Sequence, residues 1–123
     1  MDFLRTELAH TLSAQMTWAL SGWAGLELAA PFVSAVPVLH IAIDAEAVAD
    51  GRLREAMRAA ELREVEEGAR IEFRLLSPRS LSLAETRHGL PVVSAPRLYA
   101  DLRALGGRGE AAADHVRAEL LRV

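Results

Sequence analysis

The sequence predicts an α+β fold in one domain, a small mixed sheet of about four strands packed with helices from both ends of the chain. Three observations lead there. Val38-Leu39-His40-Ile41-Ala42-Ile43 is almost continuously apolar, the pattern of a strand covered on both faces. Ile71-Glu72-Phe73-Arg74-Leu75-Leu76 alternates, as a half-exposed strand does. Leu4, Leu8, Leu12 and Met16 near one end, and Leu98, Leu102 and Leu105 near the other, recur at helical spacing. Apolar strands and amphipathic helices in one short chain must cover one another in layers.

Element by element, Phe3 to about Met16 reads as a helix. Trp18-Ala19-Leu20-Ser21-Gly22 breaks its pattern, with Gly22 suited to a turn. Trp23–Ala30 is a second short helix, stopped by Pro31. The first strand spans Val36–Ile43. Asp44 follows it and suits a helix N-cap. Gly51–Ala60 is helical, with Leu53 and Met57 inward, and Arg63–Gly68 is a charged turn. The second strand, Ile71–Leu76, ends at Ser77-Pro78. Leu81, Leu83 and Ala84 form either a short edge strand or an irregular link. His88 and Gly89 lie in a turn, and Pro91–Val93 is the last strand.

Ser94 is placed to cap the next helix, and Pro96 fits its first turn, where the missing N–H costs nothing. Gly106 and Gly107 end that helix, and another begins near Gly109. There is no internal repeat and no low-complexity linker.

Composition excludes several classes of function. The 123 residues suffice for one domain, 51% are hydrophobic and 25% are charged, so the chain is globular rather than disordered. Cysteine is absent, which removes disulfides, thiolate metal sites and thiol catalysis and fits a cytoplasmic protein. All 14 basic residues are arginine, and with no lysine or asparagine and abundant alanine this reads as genomic bias. The net charge of −3 argues against a dedicated nucleic-acid binder. No apolar run approaches the roughly 20 residues of a membrane span, and the N-terminus lacks the pattern of a signal peptide.

Few residues offer chemistry. Ser21-Gly22-Trp23-Ala24-Gly25 is a glycine-containing turn into a helix but lacks both the full dinucleotide fingerprint and the lysine of a P-loop. His10, His40, His88 and His115 show no ligand spacing, and His40 reads as a hydrogen-bonded core histidine. Trp18 and Trp23 read as packed rather than as exposed anchors. Asp44 and Glu46 are the one carboxylate pair at a strand end that could serve Mg²⁺ chemistry. Nucleotidyltransferases carry a Gly-Ser turn at a helix start and later two acidic residues on a strand. Here the turn is Ser21-Gly22 and the acids lie beyond the strand, so a degenerate relative of that fold fits better than an active one.

Arginines gather in the last third. Arg97, Arg103, Arg108, Arg117 and Arg122 are nearly balanced by Asp101, Glu110, Asp114 and Glu119. They form either a solvated helix surface or a docking surface for a protein. Arg108, between two glycines, could instead pair with carbonyls at the end of the preceding helix.

The spacing Gly89-Leu90-Pro91-Val92-Val93-Ser94-x-Pro96-x-Leu98-Tyr99-x-Asp101-Leu102, then Gly107-Arg108-Gly109-Glu110-x-Ala112, resembles the C-terminal part of AbiEi-family antitoxins of type IV toxin–antitoxin systems. Ala19-Leu20-Ser21-Gly22-Trp23-Ala24-Gly25-Leu26 resembles the glycine-turn-helix segment of the same domain. The resemblance covers most of residues 1–123. It implies a non-enzymatic bacterial regulator without cofactor or metal, whose protein partner is a nucleotidyltransferase-like toxin. It carries over Arg97, Tyr99, Asp101 and Arg108 as candidate partner-binding residues. The family joins this domain to a winged-helix DNA-binding domain, but no helix-turn-helix precedes Met1, so DNA binding is not expected of this domain alone. The rival reading is a minimal or degenerate nucleotidyltransferase-like protein holding nucleotide and Mg²⁺ at Asp44 and Glu46. A homo-oligomer remains compatible with either.

Overall fold

Strand β1, Trp18–Ser21, lies at the centre of the sheet, where its four consecutive buried residues belong. The structure, a computed structural model, describes residues 8–30, 38–60 and 71–122. The expected helix start at Phe3, the stop at Pro31, the strand start at Val36 and the charged turn Arg63–Gly68 lie outside the described residues.

The described chain is one small α+β domain. In order it runs α1 (Ala9–Gln15), β1, α2 (Gly22–Ala29), β2 (Leu39–Ile43), α3 (Ala45–Ala49), α4 (Arg52–Ala59), β3 (Ile71–Leu75), α5 (Pro78–Ser82), β4 (Glu85–Arg87), β5 (Leu90–Val92), α6 (Ala95–Ala104) and α7 (Arg108–Val116). A π-helical turn, Arg117–Leu121, extends α7. The sheet has five strands in the order β3-β2-β1-β5-β4. β1 runs antiparallel to β2 and parallel to β5; β2 and β3 are parallel, and β4 and β5 antiparallel.

Two expectations change. The break at Trp18–Gly22 is strand β1. It hides in the sequence because Trp-Ala-Leu-Ser is short and has neither clean alternation nor β-branched residues. Leu81 sits in helix α5 rather than in an edge strand. Ser77 accepts the Ser80 amide at 3.1 Å and Pro78 occupies the first turn, a helix start that overrides the apolar spacing. The edge strand comes just afterwards, as β4. Asp44 caps α3 as expected, accepting from the Ala47 amide at 2.9 Å. Ser94 occupies the N-cap position of α6, but its side chain makes no capping hydrogen bond.

Alternation along the strands separates two packed layers. Trp18, Leu20, Ile41, Ile43 and Val92 point to one face and meet Leu8 and Leu12, with Ala47 and Ala56 from α3 and α4. Ala19, Ala42 and Val93 point to the other and meet Leu98 and Leu102 of α6 and Ala112, Ala113 and Val116 of α7. Helix α2 serves both layers, with Leu28 in the first and Leu26 in the second. Each fully buried Leu or Ile stabilises by about 1.5–3 kcal/mol relative to exposure. Alanines at the α6–α7 contact bring those helices close, and Gly109 brings them closer still. A methyl group there would collide with the Leu102 carbonyl oxygen, so α7 docks where only glycine fits.

Candidate functional site

The second face of the sheet is polar at one end. Register aligns Ser21 of β1 with His40 of β2, and His40 with Glu72 of β3. With a side-chain period of two, these residues form one transverse row on a single face. The next row on that face is Ala19, Ala42 and Arg74. Helix α6 covers the rows and brings Asp101 over them.

Hydrogen bonds tie the rows to the helix. The Ser21 hydroxyl donates to Asp101 Oδ2 at 2.6 Å. The other oxygen of Asp101 pairs with Arg97 Nε at 2.9 Å, one helical turn away. His40 Nε2 meets Glu72 Oε2 at 2.9 Å. His40 is thus the partnered core histidine expected from its apolar strand, at 3% exposure. Its Nδ1 is buried without a partner, as is Nε of Arg74. Burial holds the His40 pKa below the ordinary value, and the neighbouring Arg74 adds to this; Glu72 and Asp101 act in the opposite direction. The imidazole is therefore neutral near neutral pH.

Gly22 makes this arrangement possible. It opens α2 directly after β1 with φ +56°, and a methyl group on it would run into the His40 ring. Both its backbone conformation and its lack of a side chain are used. Ser21, Gly22, His40, Arg74, Asp101 and Leu105 line a narrow, partly open cleft.

The carboxylates proposed for Mg²⁺ lie elsewhere. Asp44 is engaged as the α3 cap, and the same oxygen stands 3.7 Å from an Arg52 nitrogen. Glu46 is exposed in the first turn of that helix. On the Ser21 face, β2 carries His40 and Ala42 and no acid. Among the described residues no three His, Asp or Glu side chains are grouped to hold a metal ion.

The four residues singled out for partner binding divide. Arg97 and Asp101 come together as a pair, and Asp101 is largely buried against Ser21. Tyr99 is half-buried against the second layer, and Arg103 stacks over its ring at 5.9 Å from the centroid. Arg108 is exposed at the first position of α7, and its side chain makes no hydrogen bond or ion pair among the described residues. The alternative pairing with carbonyls of α6 is not formed. Reading the sequence missed the row Ser21–His40–Glu72 with Arg74. The alternation of Ile71–Leu76 put Glu72 and Arg74 on one face, but with β1 unrecognised there was no register to align them.

No helix among the described residues is long and apolar enough to cross a membrane. Compared with known proteins, the chain matches no family model, no curated protein and no solved structure.

Proposed function

We propose that this chain is a cytoplasmic, non-enzymatic interaction domain of the antitoxin type, which counters a nucleotidyltransferase-like toxin and assists repression of its operon through protein contacts. The observation that carries the reading is Arg108. A cation at a helix N-terminus faces the positive end of the helix dipole, a placement that costs about 0.3–1 kcal/mol. Glu110 in the same first turn suits the dipole, but it forms no ion pair with Arg108. A residue that is locally unfavourable and points to solvent is one held for a partner, and arginine is enriched at protein interfaces. Support also comes from the sheet face itself, where Ser21 is taken up by Asp101 and His40 by Glu72. The resemblance of the segments around Ser21-Gly22 and Gly107-Arg108-Gly109 to the antitoxin domain gives the partner class.

Within this reading Arg97 and Asp101 hold the surface in shape, while Arg108, with Tyr99 and Arg103 on α6, presents it. Calorimetric titration against a nucleotidyltransferase-like toxin encoded beside this chain tests the proposal. Wild-type protein is expected to bind, and Arg108→Ala to weaken binding at least tenfold with an unaltered circular dichroism spectrum. No binding by the wild type, or equal affinity for Arg108→Ala, would overturn it.

A further inference from the structure

The two edges of the sheet are treated differently. β4 is three residues long, ends in a tight turn at His88-Gly89, and spends its charges on itself, Glu85 pairing with Arg87 at 3.0 Å. That is a blunted edge. β3 is five residues long and, among the described residues, has only β2 beside it in the sheet. Its sequence, Ile71-Glu72-Phe73-Arg74-Leu75, is self-complementary about Phe73. An antiparallel copy centred on that residue sets Glu72 against Arg74 of the other strand and Arg74 against Glu72. Ile71 then opposes Leu75, and Phe73 opposes Phe73. Residues directly opposed in an antiparallel pair share a face, so both charge pairs fall on the α6 side and all three apolar pairs on the α1–α4 side. Leu75, 60% exposed in the single chain, gains Ile71 of the second copy as a neighbour. Arg74, whose Nε is buried without a partner, gains a carboxylate for its guanidinium.

We propose that the β3 edge is a homodimer interface, two copies joining through antiparallel β3 strands into one continuous ten-stranded sheet. The contact is isologous: the same five residues on each copy satisfy each other about a twofold axis through Phe73. Opposite charges across strands stabilise and like charges repel, so the register is read by charge as well as by the apolar pairs. A five-residue seam buries little surface, so the dimer dissociates on dilution.

Sedimentation equilibrium over a concentration series, up to about 1 mM, tests the proposal. The wild type is expected to pass from monomer to dimer across the series; a monomer throughout overturns the inference. Glu72→Arg and Arg74→Glu each place like charges opposite one another twice, and each alone is expected to weaken dimerisation at least tenfold. Mixing the two variants restores both opposite-charge pairs, so a one-to-one heterodimer is expected. Single variants that dimerise like the wild type, or a mixture of folded variants that stays monomeric, would count against the register and sink it. Because Glu72 also holds His40, a second arm avoids that contact. The chain has no cysteine, so Phe73→Cys introduces a lone thiol at the twofold axis, within disulfide reach of its own copy. Mild oxidation is expected to cross-link Phe73→Cys far faster than Leu83→Cys, an exposed position away from the seam. Equal rates would refute the seam.

Discussion

The two faces of the sheet are built from the same strands by opposite means. Toward α1, α3 and α4 the strands present Trp18, Leu20, Ile41, Ile43 and Val92, and what holds that layer is area removed from water. Toward α6 they present small residues, Ala19 and Ala42, beside a polar row of Ser21, His40 and Glu72. The small residues let α6 approach closely, and close approach is what lets Asp101 reach Ser21. The first face tolerates rearrangement among apolar shapes. The second rests on specific pairs, Ser21 with Asp101 and His40 with Glu72, since a buried group that loses its partner costs more than the pair gains.

The contrast breaks most visibly on the apolar face. Ile41 is fully buried at the centre of its layer. Ile41→Ala is expected to cost about 2–5 kcal/mol, the lost transfer free energy plus the cavity left behind. Urea unfolding of wild type and variant measures it. A cost below about 1 kcal/mol would mean that this layer collapses around the gap and is looser than its burial indicates.

On the polar face the expected cost is lower and its origin differs. Ser21→Ala removes the donor to Asp101 Oδ2 and leaves that oxygen without its partner, while Oδ1 keeps Arg97. The loss is expected to be about 1–3 kcal/mol, from an unsatisfied acceptor rather than from a cavity. A double-mutant cycle separates the two origins. In an Asp101→Asn background Ser21→Ala should cost measurably less, because the pair has already been weakened. Equal costs in both backgrounds would show that Ser21 and Asp101 act independently and that the row is not a network.

How much of this could be read in advance follows the same division. The apolar runs Val38–Ile43 and Ile71–Leu76 were legible as strands, because hydrophobic periodicity is a local signal. Asp44 was legible as a cap because one side chain reaches an amide three residues on. His40 was legible as a core histidine from its apolar neighbours. The polar row was not legible, because it depends on register. Ser21 and Asp101 are 80 residues apart in the chain, and neither spacing nor periodicity joins them. β1 escaped because Trp-Ala-Leu-Ser gives no alternation, and without β1 the sheet has no centre. The candidate partner-binding residues were legible by type but not by role. Arg97 and Arg108 look alike in the sequence, yet Arg97 pairs with Asp101, which fastens α6 to Ser21, while Arg108 makes no hydrogen bond or ion pair among the described residues.

The finest difference between the faces is a proton. The α1 side is packed from apolar residues, whereas His40 lies on the α6 side among Ser21 of β1, Gly22 at the start of α2, Glu72 and Arg74 of β3 and Asp101 of α6. Burial and Arg74 lower its pKa below 6.5, and Glu72 and Asp101 only partly oppose this. A histidine with a lowered folded-state pKa binds fewer protons folded than unfolded between that pKa and 6.5, so stability rises with pH across that window. The contribution is complete above 6.5, is lost as pH falls through the window, and levels off below the folded-state pKa, where both states are protonated. Less than one proton is exchanged, so the slope is gentle. Melting temperatures of wild type and His40→Gln, compared from about pH 7.5 to about pH 5, isolate it from the carboxylates, which titrate in both proteins. The wild type should lose stability more steeply than His40→Gln below neutrality. Parallel curves would mean that Glu72 and Asp101 balance burial and Arg74; a wild type that gains on His40→Gln as pH falls would mean that they outweigh them, and that this face is held by an ion pair rather than by a neutral imidazole.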